Sequence, residues 1–110
     1  MTTKPSTILG TVESKYVGYY RNRNERQYVG MVVVDNLTDF VVTFSLTLFR
    51  RGKRKGVEIY DRYRFAPHST LHYYPDANSN SPVFLHKGDR LKARSSKKGA
   101  LAIKVIGVQL

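Results

Sequence analysis

The chain has no cysteine. That absence excludes disulfides, thiolate zinc sites and cysteine nucleophiles together, and it is compatible with a reducing compartment. No apolar run approaches the roughly 20 residues that a membrane-spanning helix needs. The opening MTTKPSTIL has one Lys and no apolar core, so no signal peptide is expected. Acidic residues are scarce: eight Asp and Glu face nineteen Lys and Arg, for a net charge of +11 over 110 residues. A surface this positive attracts an anion, whether nucleic acid, an acidic protein, or an anionic lipid or polysaccharide. The plainer alternative is a solubilising surface, or one neutralised within a larger assembly. No internal repeat is present, and no stretch carries a helical period.

What the chain has in quantity is β-branched and aromatic residues in period-two alternation. In FVVTFSLTLFRR, Phe40 to Arg51, Val42, Phe44, Leu46 and Leu48 fall on one side of an extended chain. Thr43, Ser45 and Thr47 fall on the other, which predicts a central strand with one buried face. A helix would scatter those apolar positions around its circumference and restrict the β-branched side chains.

The same reasoning places the rest of the chain. Residues 1–7 read as a loose arm and 8–110 as one domain, long enough for a genuine core. Ile8–Val12 is a short first strand. Tyr16–Arg26, YVGYYRNRNER, reads as a hairpin with a charged tip turning at Asn22–Asn24. Tyr28–Val34 suits a strand buried on both faces or at a subunit contact.

The run from Arg51 to Gly56 is a cationic hairpin loop leading into Val57–Phe65. In that strand Val57, Ile59, Asp61 and Tyr63 should share one face, with Asp61 toward the core. Ala66–Ser69 is a turn before a strand at Thr70–Tyr74, and PDANSNSP, Pro75–Pro82, is a loop. Val83–Leu85 is a brief extended piece, and His86–Asp89 is a tight turn in which Gly88 supplies positive φ.

Arg90–Ser95 alternates, with Leu91 and Ala93 inward and Arg90, Lys92 and Arg94 outward. In the last strand Leu101, Ile103 and Val105 hand the apolar phase to Ile106, Val108 and Leu110, which predicts a β-bulge beside Gly107. About eight short strands without a helix predict a single antiparallel β-sandwich, jelly-roll-like.

Three motifs occur in order: APHSTL at the turn beginning Ala66, LHKGDRLKA from Leu85, and IKVIGVQL at the end. They resemble the P-A-G-S-T-L turn, the L-x-x-G-D-x-L-x-A turn-strand and the V-x-G-V/I-x-I/L strand of small β-sandwich virion proteins of tailed bacteriophages. Those proteins are decoration, head-fibre, collar and tail-associated subunits. The likeness covers roughly the last two-thirds of the chain, and His68 stands where Gly is usual. It implies a non-enzymatic structural subunit, located in the virion and made in the host cytoplasm. It also implies a homo-oligomer docked on capsid, portal or tail proteins.

Enzymatic chemistry finds no footing. His68, His72 and His86 sit in or beside turns and read as ordinary surface histidines rather than metal ligands. Ser95 and Lys98 spell S-x-x-K, but in a turn rather than on the helix that serine enzymes require. Gly52 to Gly56 spells G-x-x-x-G around three cations, which excludes membrane helix packing. No catalytic residue, cofactor or metal is expected.

The partner-binding candidates are therefore cationic and aromatic. Tyr19, Tyr20, Arg21, Arg23 and Arg26 form one cluster. Arg50, Arg51, Lys53, Arg54 and Lys55 form a second, with Arg62 and Arg64 on the following strand and Lys92 and Arg94 on the strand stripe. Tyrosines among arginines are common at protein–protein contacts. They also stack on bases in single-strand binders, so a basic nucleic-acid-binding β-barrel is the alternative. Attachment to an anionic glycan or lipid has no residue signal of its own.

Overall fold

In a computed structural model, residues 7–12, 15–75 and 84–110 are described. They form nine strands and no α-helix: β1 Thr7–Val12, β2 Val17–Arg21, β3 Gln27–Asn36, β4 Val42–Phe49, β5 Val57–Phe65, β6 Thr70–Tyr73, β7 Phe84–Leu85, β8 Arg90–Ser95 and β9 Leu101–Gln109. The expected arm at residues 1–7 lies outside the described residues except for Thr7, which already belongs to β1. The same is true of the PDANSNSP loop after Pro75.

The strands make two antiparallel sheets, ordered β1-β9-β3-β6 and β2-β8-β4-β5, with β7 pairing the start of β3. Only β4 and β5 are a hairpin of sequence neighbours within one sheet; most other connections cross from one sheet to the other. This is the eight-stranded jelly-roll order, with the two-residue β7 added at one corner. The all-β sandwich read from the sequence is thus the observed architecture.

β4 is interior to its sheet, between β8 and β5, and alternates buried and half-buried along its whole length. Val42, Phe44, Leu46 and Leu48 have at most 1% of their surface exposed. Leu91 and Ala93 of β8 and Phe65 of β5 join them, facing Val29, Val32, Val34, Ile103 and Val105 of the other sheet. Burying each of the larger side chains contributes roughly 1.5–3 kcal/mol relative to exposure, which fixes the register of both sheets.

Four expectations differ from the structure. The Tyr16–Arg26 hairpin does not form: β2 pairs with β8 while β3 lies in the opposite sheet. Asn22 makes the crossover possible, buried with its Nδ2 donating to the carbonyls of Glu25 and Leu85 and its Oδ1 accepting from the Asn24 amide. β3 is not buried on both faces; Val29, Val32 and Val34 point inward, and Met31 and Val33 are half exposed.

The bulge expected in β9 sits instead on its two neighbours. β9 keeps one phase through Gly107, while Leu9 of β1 and Gly30 of β3 are the extra residues opposite it. Gly107 allows this because a Cβ there would come within 1.9 Å of the Tyr28 carbonyl oxygen. β5 is bulged as well. Phe44 faces Tyr63 and Leu46 faces Tyr60, so Asp61 and Arg62 together stand opposite Ser45, and Arg62 takes φ +50°. Asp61 is therefore not on the core side; its side chain is 54% exposed beside Arg62.

Candidate anion-binding face

The outer face of the β2-β8-β4-β5 sheet follows from register. Residues directly opposite one another in antiparallel strands share a face, so inward Leu91 and Ala93 place Arg90, Lys92 and Arg94 outward. Arg94 lies between Val17 and Ser45, Lys92 between Tyr19 and Thr47, and Arg90 between Arg21 and Phe49. A cationic column thus runs down the middle of the sheet, with tyrosine on one flank and hydroxyls on the other.

The Arg90 guanidinium carbon lies 5.5 Å from the Tyr19 ring centre and 5.0 Å from that of Phe49; the Lys92 ammonium is 6.0 Å from the latter. These are cation–π distances.

Among the described residues, two depressions open on this side. A trough of about 790 Å³ is floored by Ser45, Thr47 and Phe49 and walled by Arg54, Lys55, Arg62, Lys92 and Arg94, with Glu58 and Asp61 at its β5 edge. A second, of about 360 Å³, lies around the β4–β5 hairpin between Arg21, Arg51, Lys53, Arg54 and Arg90. Arg54 borders both. Among the described residues, ten Lys and Arg line the pair, against two carboxylates.

The opposite sheet differs in character. Its five strands carry one Lys or Arg, Lys104. Its outer face is a half-buried apolar surface in which Ile106 stands between Ile8 and Met31, and Val108 is opposite Tyr28.

The fourteen sequence-derived candidates divide accordingly. Arg21, Arg50, Arg51, Lys53 and Arg54 meet at the hairpin depression, and Arg54, Lys55, Arg62, Lys92 and Arg94 at the trough. Tyr19 lies under Arg90 at the same face. Arg64, opposite Thr43, is exposed on the edge strand. Arg23 and Arg26 are exposed in the β2–β3 crossover away from the trough, with Arg26 over the Phe84 ring at 4.8 Å.

Tyr20 is not a surface residue. It faces inward opposite Leu91, 9% exposed, and its hydroxyl donates to Gln27 Oε1 at 2.7 Å. Gly10 makes room for it, since a Cβ there would meet the ring at 2.3 Å. Burial pushes the Tyr20 phenol upward, and its hydrogen bond with Gln27 opposes the rise.

Arg50 has a structural task. Its Nη1 donates to Asp89 Oδ2 and to the Phe84 carbonyl, both at 2.7 Å. Asp89, nearly sealed from solvent, also accepts from the His86 and Arg51 amides. Burial alone would raise its carboxyl; those three donors and the Arg50 charge outweigh it and hold the group below the usual carboxylate range. The sequence signal for Asp89 was its Gly-Asp turn, but the anchoring of the cationic hairpin depends on a contact 39 residues away in the chain.

The histidines do not converge. His68 pairs with Asp39 at 2.5 Å and His72 stacks on Tyr74. Among the described residues, no three His, Asp or Glu side chains cluster as metal ligands would. Ser95 ends β8, and its hydroxyl donates to the Lys97 carbonyl. Among the described residues no helix is long and apolar enough to cross a membrane.

No family model matches the chain, and no curated protein matches it. Among solved structures, Drosophila melanogaster CENP-C bound to CAL1 is similar at 10% identity and a TM-score of 0.26, over 83% of this chain and 59% of that one. A second structure of CENP-C from the same organism gives 11% identity and a TM-score of 0.25, over 83% and 56%. The CENP-C cupin domain from this fly gives 12% and 0.24, over 92% and 65%. The chain spans less than two thirds of the length of each of these structures.

Proposed function

We propose that the protein is a non-enzymatic structural subunit of a bacteriophage virion: a capsid decoration, collar or tail-associated protein that assembles with copies of itself and docks on other virion proteins. The ordered motifs from Ala66 to Leu110 suggest the virion. The observation that carries the structural role is the segregation of charge between the two outer faces.

Copies bearing +11 repel when their basic faces meet. The sheet whose strands carry only Lys104 offers an apolar surface around Ile106 and Met31 where a second copy packs at little electrostatic cost. Closed symmetry then arrays the basic faces outward, toward an anionic component of the particle.

Light scattering on the purified protein tests this reading. A defined oligomer is expected, and the double change Ile106→Lys and Met31→Lys should reduce it to monomer while its circular dichroism stays that of a β-protein. A wild-type monomer at every concentration, absent from purified particles, refutes the reading.

A further inference from the structure

We infer that the outer face of the β2-β8-β4-β5 sheet binds single-stranded nucleic acid, its phosphodiester backbone following Arg90, Lys92 and Arg94 and turning around the β4–β5 hairpin. This goes beyond the reading above and stands on the chemistry of this face alone.

Four observations favour a nucleic-acid strand over an acidic protein. The first is chemistry at the centre of the face. Protein interfaces keep charge to the rim and bury apolar anchors in the middle, whereas here the middle strand is the cationic one and its aromatic neighbours already lie under Arg90. The second is spacing. Alternate residues on a strand are roughly 6.6 Å apart, which matches successive phosphates of an extended single strand. Ser45 and Thr47 place hydroxyls beside the Arg94 and Lys92 positions, and hydroxyls with Arg and Lys are the usual phosphate partners.

The third is the lack of internal neutralisation. Among the described residues the carboxylate ion pairs at this face are Arg50 with Asp89 and Arg62 with Asp61. Among those residues, Arg21, Arg51, Lys92 and Arg94 have no carboxylate within ion-pair distance. The fourth is Arg62. It adopts φ +50°, the left-handed region that favours glycine, and so holds a guanidinium at the trough wall at a conformational cost. Its amide donates to Ser45 Oγ, which fixes the bulge there. A flexible strand suits this surface, because Arg54 links the trough to the depression at the hairpin and Tyr19 beside the cationic column is 43% exposed.

The test is fluorescence anisotropy with a labelled oligothymidine, over about 50 to 200 mM salt. Matched arms use a duplex of equal length and polyglutamate as competitor. Binding at micromolar or tighter concentration is expected near physiological salt. Each phosphate contact contributes about −0.7 to the slope of log affinity against log salt. Lys92→Gln with Arg94→Gln should weaken binding at least tenfold and lower the slope by about 1.4.

Lys98→Gln with Lys104→Gln removes the same net charge elsewhere and should change affinity less than about twofold if phosphate contacts are local. Arg62→Gly should weaken binding severalfold while leaving the melting temperature unchanged or higher, which separates a binding role from a folding one.

Equal losses from both double variants, tighter binding of the duplex, or equal displacement by polyglutamate would each overturn the inference. So would no binding at physiological salt. Light scattering on the same samples keeps the two proposals apart. An oligomer that ignores oligothymidine removes this inference alone, and a monomer that binds it removes the self-assembly reading alone.

Discussion

Asp89 shows how much one side chain can organise. It receives the Arg50 guanidinium and the His86 and Arg51 amides, and so joins the β7–β8 turn to the base of the cationic hairpin. Removing the carboxylate strands a guanidinium and two amides, so Asp89→Ala should cost about 3 kcal/mol in urea unfolding. The same group gives a pH dependence. Its folded carboxyl lies below its unfolded value of about 3.9. Its contribution is therefore complete above that value and is lost as pH falls through the folded one. Acid titration of stability should show a wild-type drop below about pH 4 that is flattened in Asp89→Asn.

Asn36 is the counterpart at the other end of β3. Its Nδ2 reaches the carbonyls of Phe40, Phe65 and Ala66, and its Oδ1 accepts from the Thr38 amide and hydroxyl. Asn36→Asp would set carboxylate oxygens against three carbonyls. The loss expected is about 2–4 kcal/mol at neutral pH, shrinking in acid as the new carboxyl regains a proton to donate. A penalty that does not change with pH would show that the amide's role there is only to fill space.

At the scale of strands, Gly107 is the tightest point. Two neighbours of β9 each carry an extra residue around it, and the Tyr28 carbonyl occupies the space of a side chain. Gly107→Ala should therefore destabilise by more than about 3 kcal/mol or prevent folding, read from the urea midpoint of whatever soluble protein forms. Gly99→Ala, at φ +74° with nothing near its Cβ position, should lose only about 1 kcal/mol.

The contrast between these glycines explains what the sequence could convey. The β4 alternation, the Arg90–Ser95 stripe and the Gly88 turn are local patterns, and each was legible residue by residue. The β2–β3 hairpin misled because polar Asn and charged Arg look the same in a tight turn and in a crossover between sheets. Which one forms depends on Asn22 finding the Leu85 carbonyl, 63 residues away. Bulges were legible as a break in β9 but not as belonging to its neighbours, since register is a property of pairs. Tyr20 could not be told from Tyr19 by composition. Gly10 decides between them, by leaving room for one ring across the sandwich.

For the whole molecule, the polarity of charge links the cationic face to stability. The clusters at 21–26, 50–55 and 90–94 are far apart in sequence, and the jelly-roll order gathers most of them onto one face. A face holding unpaired cations this close resists folding through its own repulsion, most strongly where salt is dilute. Thermal unfolding should register this in three ways. Raising salt from about 10 mM to about 0.3 M should increase the melting temperature by about 4–8 °C, the shift equivalent to 1 kcal/mol in a domain near this size. Lys92→Gln with Arg94→Gln should melt higher than wild type in dilute salt, because it removes repulsion without opening the core. That advantage should vanish near 1 M, where screening shortens to about 3 Å. A short oligothymidine should produce the same stabilisation in the wild type at low salt and little in the variant, since phosphates would then take the place of counterions. If salt leaves both proteins unmoved, the cations are hydrated independently of one another. The face would then be a scatter of solubilising side chains rather than a single electrostatic surface.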